Sequence, residues 1–304
     1  MILVFGSLNA DFFLSVQTFP LPGETVLTPG ALIKAGGKGA NQAAAAAKAG
    51  GLVKMIGAVG TDEVAKVPVT ALKALGIDCS GIQVSQLATG MAMIMVDGQG
   101  ENSIVVASGA NTTVSADAVA QTVLNEETIL VMQMEVPPEE NFKLLRRAKA
   151  AGAKTILNVA PARAISESDL KLADYLILNE IEADTVYSAL FEKTFLGIEE
   201  KAAAISDKTG GVCLITTGAD GVVGAQRGDI FKASALPVCP VDTTGAGDAF
   251  VGIFAAMLDN GLDTRQAVRY AAAGAGLACL KIGAQESLPT LKEIESRIEE
   301  IKIS

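Results

Sequence analysis

The sequence predicts an α/β fold with a mostly parallel sheet and helices on both of its faces. Short apolar runs bounded by turn residues alternate with alanine-rich helical segments along most of the chain, the pattern of successive βαβ units. Half of the residues are hydrophobic and 19% are charged, a balance that supports an extensive core. The 304 residues contain no internal repeat, low-complexity tract or long linker, so a single unit spanning 1–304 is expected.

Taken in order, residues 2–5 read as a first buried strand. Residues 11–34 carry β-branched and alternating residues with Gly and Pro and lack a helical period, so they read as a pair of strands. A helix over 41–48, a strand over 53–59 and a helix over 64–75 follow. A second strand pair spans 89–106, and two such insertions early in an α/β chain can form a small sheet that projects over a site; ordinary surface loops are the other reading. Next come a helix at 116–124, a strand at 129–132, a helix at 139–151 and strands at 155–159 and 175–178. Helices at 182–190 and 200–209 precede a strand at 212–215 and a hairpin, 223–226 and 230–233, turning across Arg227-Gly228-Asp229. Two helices rich in small residues, 245–260 and 264–281, and a charged helix, 291–301, complete the chain.

Composition removes whole classes of function. A formal net charge of −10 argues against a nucleic-acid partner, whose binding draws on Lys and Arg. No apolar run approaches the roughly 20 residues of a membrane span, and no basic leader precedes the first strand, so no membrane partner and a cytoplasmic location are expected. Cys79, Cys213, Cys239 and Cys279 have no Cys-x-x-Cys spacing and read as small hydrophobes. With no histidine in the chain, Ser-His-Asp and Cys-His catalysis are excluded, and a general base must be a carboxylate, a lysine or a tyrosine.

The most informative segment is Asp242-Thr243-Thr244-Gly245-Ala246-Gly247-Asp248, which opens an apolar helix. Small residues there leave backbone N–H groups uncovered, and with the helix dipole those amides make an anion site suited to phosphate. Asp248 in the same turn either complements the dipole or takes a proton from an attacking hydroxyl. No Gly-x-x-x-x-Gly-Lys-Ser/Thr loop exists, and Phe250 interrupts the dinucleotide fingerprint. A second glycine cluster, Gly36-Gly37-Lys38-Gly39-Ala40-Asn41, reads as a helix-entry loop or as a turn that approaches a polar ligand closely. Asn9 and Asp11 follow the first strand at its carboxyl end, the edge where open α/β sheets bind ligands.

These motifs resemble those of the phosphofructokinase-B-type carbohydrate kinases, the ribokinase family, over nearly the whole chain. Gly6–Asp11, Pro22-Gly23-Glu24-Thr25, Gly36–Ala43 and Ser108-Gly109-Ala110-Asn111 resemble its first signature region and lid, and Asp242–Asp248 its second signature. The resemblance implies a three-layer ribokinase-like fold with a small β-sheet lid formed by about 11–34 and 89–106. It implies an ATP-dependent kinase acting on the primary hydroxyl of a pentose, D-ribose first, with deoxyribose, a hexose or a purine nucleoside as alternatives. Asn9, Asp11, Gly37, Lys38, Asn41 and Glu135 would bind the sugar with Asp248 as base, and Gly245, Ala246 and Gly247 would form the anion loop. Asn179, Thr216, Gly218, Gly221 and Gly247 would hold the nucleotide, and Glu182 would hold magnesium through water. Without the family, Asn179 and Glu182 read as a helix cap with a first-turn acid.

The resemblance further implies a potassium site at Asp242, Thr244, Ala278, Lys281, Gly283 and Ser287, mostly through carbonyl oxygens, and a homodimer formed through the lid. Departures are Ala65, where the family carries glycine, and Ala271, which offers no polar handle to an adenine and leaves nucleotide preference open. A catalytically silent sugar-binding protein of the same fold would lack the base or the glycine loop; both are present.

Overall fold

In a computed structural model, residues 1–99, 101–191 and 197–304 are described. Strand β1 (Ile2–Phe5) is wholly buried and leads into β2 (Asn9–Ser15), β3 (Ala31–Gly36), α1 (Lys38–Lys48) and β4 (Val53–Val59). The chain continues through α2 (Lys66–Ala74), β5 (Asp78–Val84), β6 (Gly90–Val96), β7 (Asn102–Ala107), β8 (Ile129–Met132), α3 (Pro138–Ala150) and β9 (Lys154–Asn158). Then follow α4 (Glu167–Leu170), β10 (Tyr175–Asn179), α5 (Glu180–Phe191), α6 (Ile198–Thr209), β11 (Val212–Thr216), β12 (Val222–Gln226) and β13 (Asp229–Ala233). Helices α7 (Ala246–Asp259), α8 (Thr264–Ala278) and α9 (Leu291–Glu295) close the order.

The large sheet has nine strands in the order β13-β12-β11-β10-β9-β8-β1-β4-β5. In that order every neighbouring pair from β11 to β5 is parallel, whereas β12 pairs antiparallel with both β11 and β13. Ile2 pairs with Val53 on one side and Ile129 on the other, so the direction of winding reverses between β1 and β8. Such a reversal opens a crevice at the carboxyl ends of the strands.

Side chains alternate across each strand, and this divides the core into two layers. Ile2 and Val4 face α1, α7 and α8, whereas Leu3 and Phe5 face α3, α5 and α6. Alanines and glycines let α1 and α7 pack closely: a Cβ on Gly252 would lie 2.3 Å from the Gln42 carbonyl oxygen and 2.6 Å from the Ala45 methyl. This approach brings the amino ends of both helices to the crevice. The second sheet is small, with order β3-β2-β6-β7. Among the described residues no helix is long and apolar enough to cross a membrane.

Two expectations need correction, and one strand is additional. Residues 116–124 form two short 3₁₀ turns, Ala116–Ala118 and Gln121–Val123, rather than an α-helix. The Arg147 guanidinium donates to the carbonyls of Ala116 and Val119, at 2.6 Å each, and so takes acceptors that a helix would use. The closing helix stops at Glu295 instead of running to 301. Beyond it the chain leaves the helical path so that Ser304 and Lys232 exchange backbone hydrogen bonds, which covers the open edge of β13. Strand β5 has no counterpart in the sequence reading; it is an edge strand whose register with β4 shifts between Asp78 and Gly81, and a Cβ on Gly81 would strike the Ile56 side chain.

Candidate active site

Helix α7 starts from Gly245, whose φ of 77° is a left-handed conformation natural to glycine. A Cβ there would press on the backbone of Ala284, so the turn seats directly against the loop after α8. Nothing lies within 4 Å of where a Gly247 Cβ would be, and among the described residues the amides of Gly247 and Asp248 make no backbone hydrogen bond. An open helix N-terminus of this kind accepts an anion.

Asp248, in the first turn, is only 7% exposed. The Asn41 amide donates to its Oδ2 and the Gln42 amide to its Oδ1, both at 2.9 Å. Lys38 sits in the first turn of α1, because this helix begins three residues earlier than the sequence suggests. The nearby Asp248 charge is the main reason the Lys38 ammonium is held above its ordinary range, against the opposing effect of burial.

On the β2 side, Asn9 accepts from Asn111 at 2.8 Å, which orients its own N–H₂ group for another partner. Asn111 also ties down the backbone of Leu8. Asp11 lies opposite Lys34 on β3, and a Cβ on Gly36 would fall 1.9 Å from the Asp11 carboxyl, so glycine there makes room for it. Among the described residues the buried Asp11 Oδ1 has no hydrogen-bond partner. Burial, followed by the charges of Glu135, Asp248 and Glu286, pushes the Asp11 carboxyl up to about 7. Glu135 Oε2 accepts from Ser7 Oγ at 2.5 Å and from the Lys38 amide at 3.1 Å. Gly37, with φ of 89°, packs on the backbone of Asn9.

A cavity of about 220 Å³ runs from Lys38 and Asp248 to the ends of β9, β10 and β11, and Asn9, Asp11, Gly37, Asn41 and Glu135 do not line it. Lys38, Asn158, Asn179, Glu182, Thr216, Gly245, Gly247 and Asp248 line it. Asn179 and Glu182 cap α5 reciprocally: the Glu182 amide donates to Asn179 Oδ1 at 2.8 Å, and the Asn179 amide to Glu182 Oε2 at 2.7 Å. Burial raises the Glu182 carboxyl, with the Asn179 and Lys38 contacts opposing. Its second oxygen accepts nothing among the described residues, so the cap leaves one oxygen for water or a cation. Gly218 and Gly221, with φ of 57° and 97°, shape the turn after β11 but do not line this cavity. Ala271 is buried within α8 and faces the core. A larger groove of about 580 Å³ lies at the opposite, amino-terminal edge of β9–β11 and contains none of these residues.

Asp242 links the two halves of the expected cation site. Its carboxylate accepts from the amides of Thr244 and Gly283, each at 2.9 Å. Burial pushes this carboxyl up, but hydrogen bonds from Thr244 and Gly283 and the charge of Lys34 outweigh it and hold it below the usual range. Ala278 and Ser287 are buried nearby in sequence, whereas the Lys281 side chain points outward to Glu293 at 3.5 Å. The donors expected there are oxygens, the set that hard cations take.

Four residues at the site carried no expectation: Gln42, Gln133, Asn158 and Gln285. Gln42 and Gln133 are fully buried, and Asn158 and Gln285 nearly so. Their signal in the sequence was an amide at the end of an apolar strand, as at Asn158, or within an alanine run, as at Gln42.

Comparison with known proteins shows the family of the chain. Residues 1–291 match the pfkB family carbohydrate kinase. Ribokinase of Haemophilus influenzae is 39% identical over 293 residues, which cover 95% of each chain. The crystal structure of ribokinase from Thermotoga maritima superposes with a TM-score of 0.92 at 33% identity, covering 98% of this chain and 99% of that one. Arabidopsis thaliana ribokinase complexed with ribose and ATP gives 0.88 at 30% identity, with 98% of both chains covered. The open helix N-terminus, the buried acid beside it and the polar crevice thus occur in a chain that belongs to the pfkB family of carbohydrate kinases.

Proposed function

We propose that this protein is a ribose kinase that moves the terminal phosphoryl group of ATP to the primary hydroxyl of D-ribose. The observation that carries this reading is the position of Asp248. It stands at the open N-terminus of α7, with the Asp11, Lys38, Asn41 and Glu135 cluster on one side and the Glu182 and Thr216 cavity on the other. Asn9 and Asn41 are buried and Asp11, Lys38 and Glu135 half-buried, and the pairs that Asn9 makes with Asn111 and Asn41 with Asp248 leave Asp11 Oδ1 and the Asn9 N–H₂ for hydroxyls. A site built in this way rejects ligands that lack those hydroxyls.

In the proposed reaction Asp248 accepts the proton of the primary hydroxyl, whose oxygen attacks the terminal phosphorus as the bond to ADP breaks. The amides of Gly247 and Asp248 and the Lys38 ammonium stabilise the charge that spreads over the transferred group. Gly245, Ala246, Asn179, Thr216, Gly218 and Gly221 would seat the nucleotide. Asn179 and Glu182 would hold magnesium through water, and the ion would neutralise phosphate charge. The Asp242 and Thr244 segment, joined to Gly283, would hold potassium with carbonyls of Ala278, Lys281 and Ser287, ordering the turn that Gly245 seats against Ala284.

The small sheet would act as a lid that excludes water, within a single kinase unit that works in the cytoplasm, where ATP is its donor. Leu32, Ile33, Ile104, Val105 and Val106 on that sheet are exposed, which supports a homodimer built through the lids. The test is ADP release over a panel of D-ribose, deoxyribose, hexoses and purine nucleosides, with and without potassium. D-Ribose should give the highest kcat/KM; higher turnover of a nucleoside or hexose would overturn the substrate assignment.

A further inference from the structure

We propose that the Asp248 carboxylate is aimed by two chains of buried side-chain amides, and that Gln42 and Gln285 are positioning residues for it. This rests on Asp248 being the base. In the first chain Asn158 donates to the Ile177 carbonyl at 3.0 Å. A carbonyl can only accept, so the Asn158 oxygen must turn toward Gln42. Gln42 Nε2 then donates both to Asn158 Oδ1, at 3.1 Å, and to Asp248 Oδ1, at 2.9 Å. Its own oxygen accepts from Gln133 at 2.8 Å. Every hydrogen-bonding direction of Gln42 except one lone pair is therefore used, and each runs one way.

The second chain comes from the loop after α8. Gln285 Nε2 donates to Asn41 Oδ1 at 3.1 Å, which leaves the Asn41 N–H₂ to donate to Asp248 Oδ2. Lys48 holds the loop by donating to the carbonyls of Gln285 and Leu288, at 3.1 and 2.9 Å. Gln42 and Gln133 are completely buried and the other amides nearly so, so water has little access to replace a missing donor.

The consequence is geometric. An ionised carboxylate offers about four lone-pair directions. One amide on each oxygen pins two of them, and the carboxylate cannot rotate without breaking both bonds. The remaining directions stay fixed toward the crevice. Gln285 lies two residues beyond Gly283, which the Asp242 carboxylate holds, so the second chain also ties the base to that loop.

The experiment is a set of double-mutant cycles on the full-length enzyme with D-ribose and ATP. Gln42→Met and Gln285→Met should each lower kcat about tenfold to a hundredfold, as a base displaced by an ångström or less does, while both KM values stay within about threefold. Asp248→Ala should lower kcat about a hundred- to ten-thousandfold, and adding Gln42→Met to it should cost nothing more. Circular dichroism checks folding, and if Gln42→Met does not fold, Gln133→Met, one step back in the chain, should show the same kcat-selective loss at smaller size. An unchanged kcat in folded Gln42→Met, or a loss that multiplies fully with Asp248→Ala, overturns the positioning role and leaves the base in place. Turnover retained by Asp248→Ala overturns the base assignment, and the positioning role with it.

Discussion

Helices α1 and α7 meet at the crevice with the same local design and opposite outcomes. Both start from a glycine with positive φ, 89° at Gly37 and 77° at Gly245, and neither has a side-chain N-cap. At α1 the protein fills its own anion site: Glu135 accepts the Lys38 amide, Ser7 Oγ accepts that of Gly39, and the Ser7 carbonyl accepts that of Ala40. At α7 the Ala246 amide donates to the Thr243 carbonyl, but among the described residues the amides of Gly247 and Asp248 have no backbone acceptor. A glycine-rich helix entry is therefore not by itself a phosphate site. What distinguishes the two is whether a carboxylate of the same chain already occupies the helix end.

The largest expected effect removes the acid at the open end. Asp248→Ala should cost about a hundred- to ten-thousandfold in kcat while ATP still binds, measured by coupled assay and by ATP titration. Next in size is Asp11. Asp11→Asn should lower kcat/KM for the sugar about ten- to a hundredfold and leave the KM for ATP nearly unchanged, since a hydrogen bond to a charged acceptor contributes about 1.5–3 kcal/mol.

The pH dependence belongs to the same residue. Burial beside Glu135, Asp248 and Glu286 pushes the Asp11 carboxyl up to about 7 in the free protein, so below that pH it carries a proton and is a poorer acceptor. The KM for ribose should therefore rise as pH falls through about 7, and Asp11→Asn should flatten that rise. A wild-type KM for ribose independent of pH from 6 to 8 would contradict it.

Smaller effects separate the two helix ends directly. Gly39→Ala would place a Cβ 2.6 Å from the Ser7 amide nitrogen, so it should destabilise the fold by about 1–3 kcal/mol in denaturant titration. Gly247→Ala meets no atom within 4 Å, so stability should stay within about 0.5 kcal/mol while kcat/KM for ATP falls, because the methyl group intrudes where phosphate would lie. Equal losses of stability at both positions would erase the distinction between the helices.

The parallel strands other than β5 were legible because each centres on a short apolar run, as at Ile2–Phe5 and Ile129–Met132. The ends of elements and the edges of the sheet were less so. Residues 116–124 read as a helix because nothing local announces that Arg147, more than 20 positions away, will take their carbonyls. Helix α9 ends early for an equally distant reason, the pairing of the chain terminus with β13.

At the site, Gly245–Asp248 and Gly36–Asn41 stood out because glycine and a lone charge in a turn have few structural uses. The amides that hold Asp248 did not. Gln42 sits in an alanine helix and reaches partners 91, 116 and 206 residues away, a contact that no local pattern encodes. The Asn179 and Glu182 pair was read both as a cap and as a ligand element, and its geometry satisfies the cap with one oxygen to spare.

The most direct test of the central claim compares ADP release with D-ribose and with the 5-deoxy sugar, which lacks the primary hydroxyl, in wild type and Asp248→Ala. A hydroxyl deprotonated by Asp248 predicts rapid, stoichiometric ADP and sugar phosphate from ribose in wild type only, and background hydrolysis in the other three arms. Sugar phosphate formed at the wild-type rate from the 5-deoxy sugar, or by Asp248→Ala from ribose, would contradict the account.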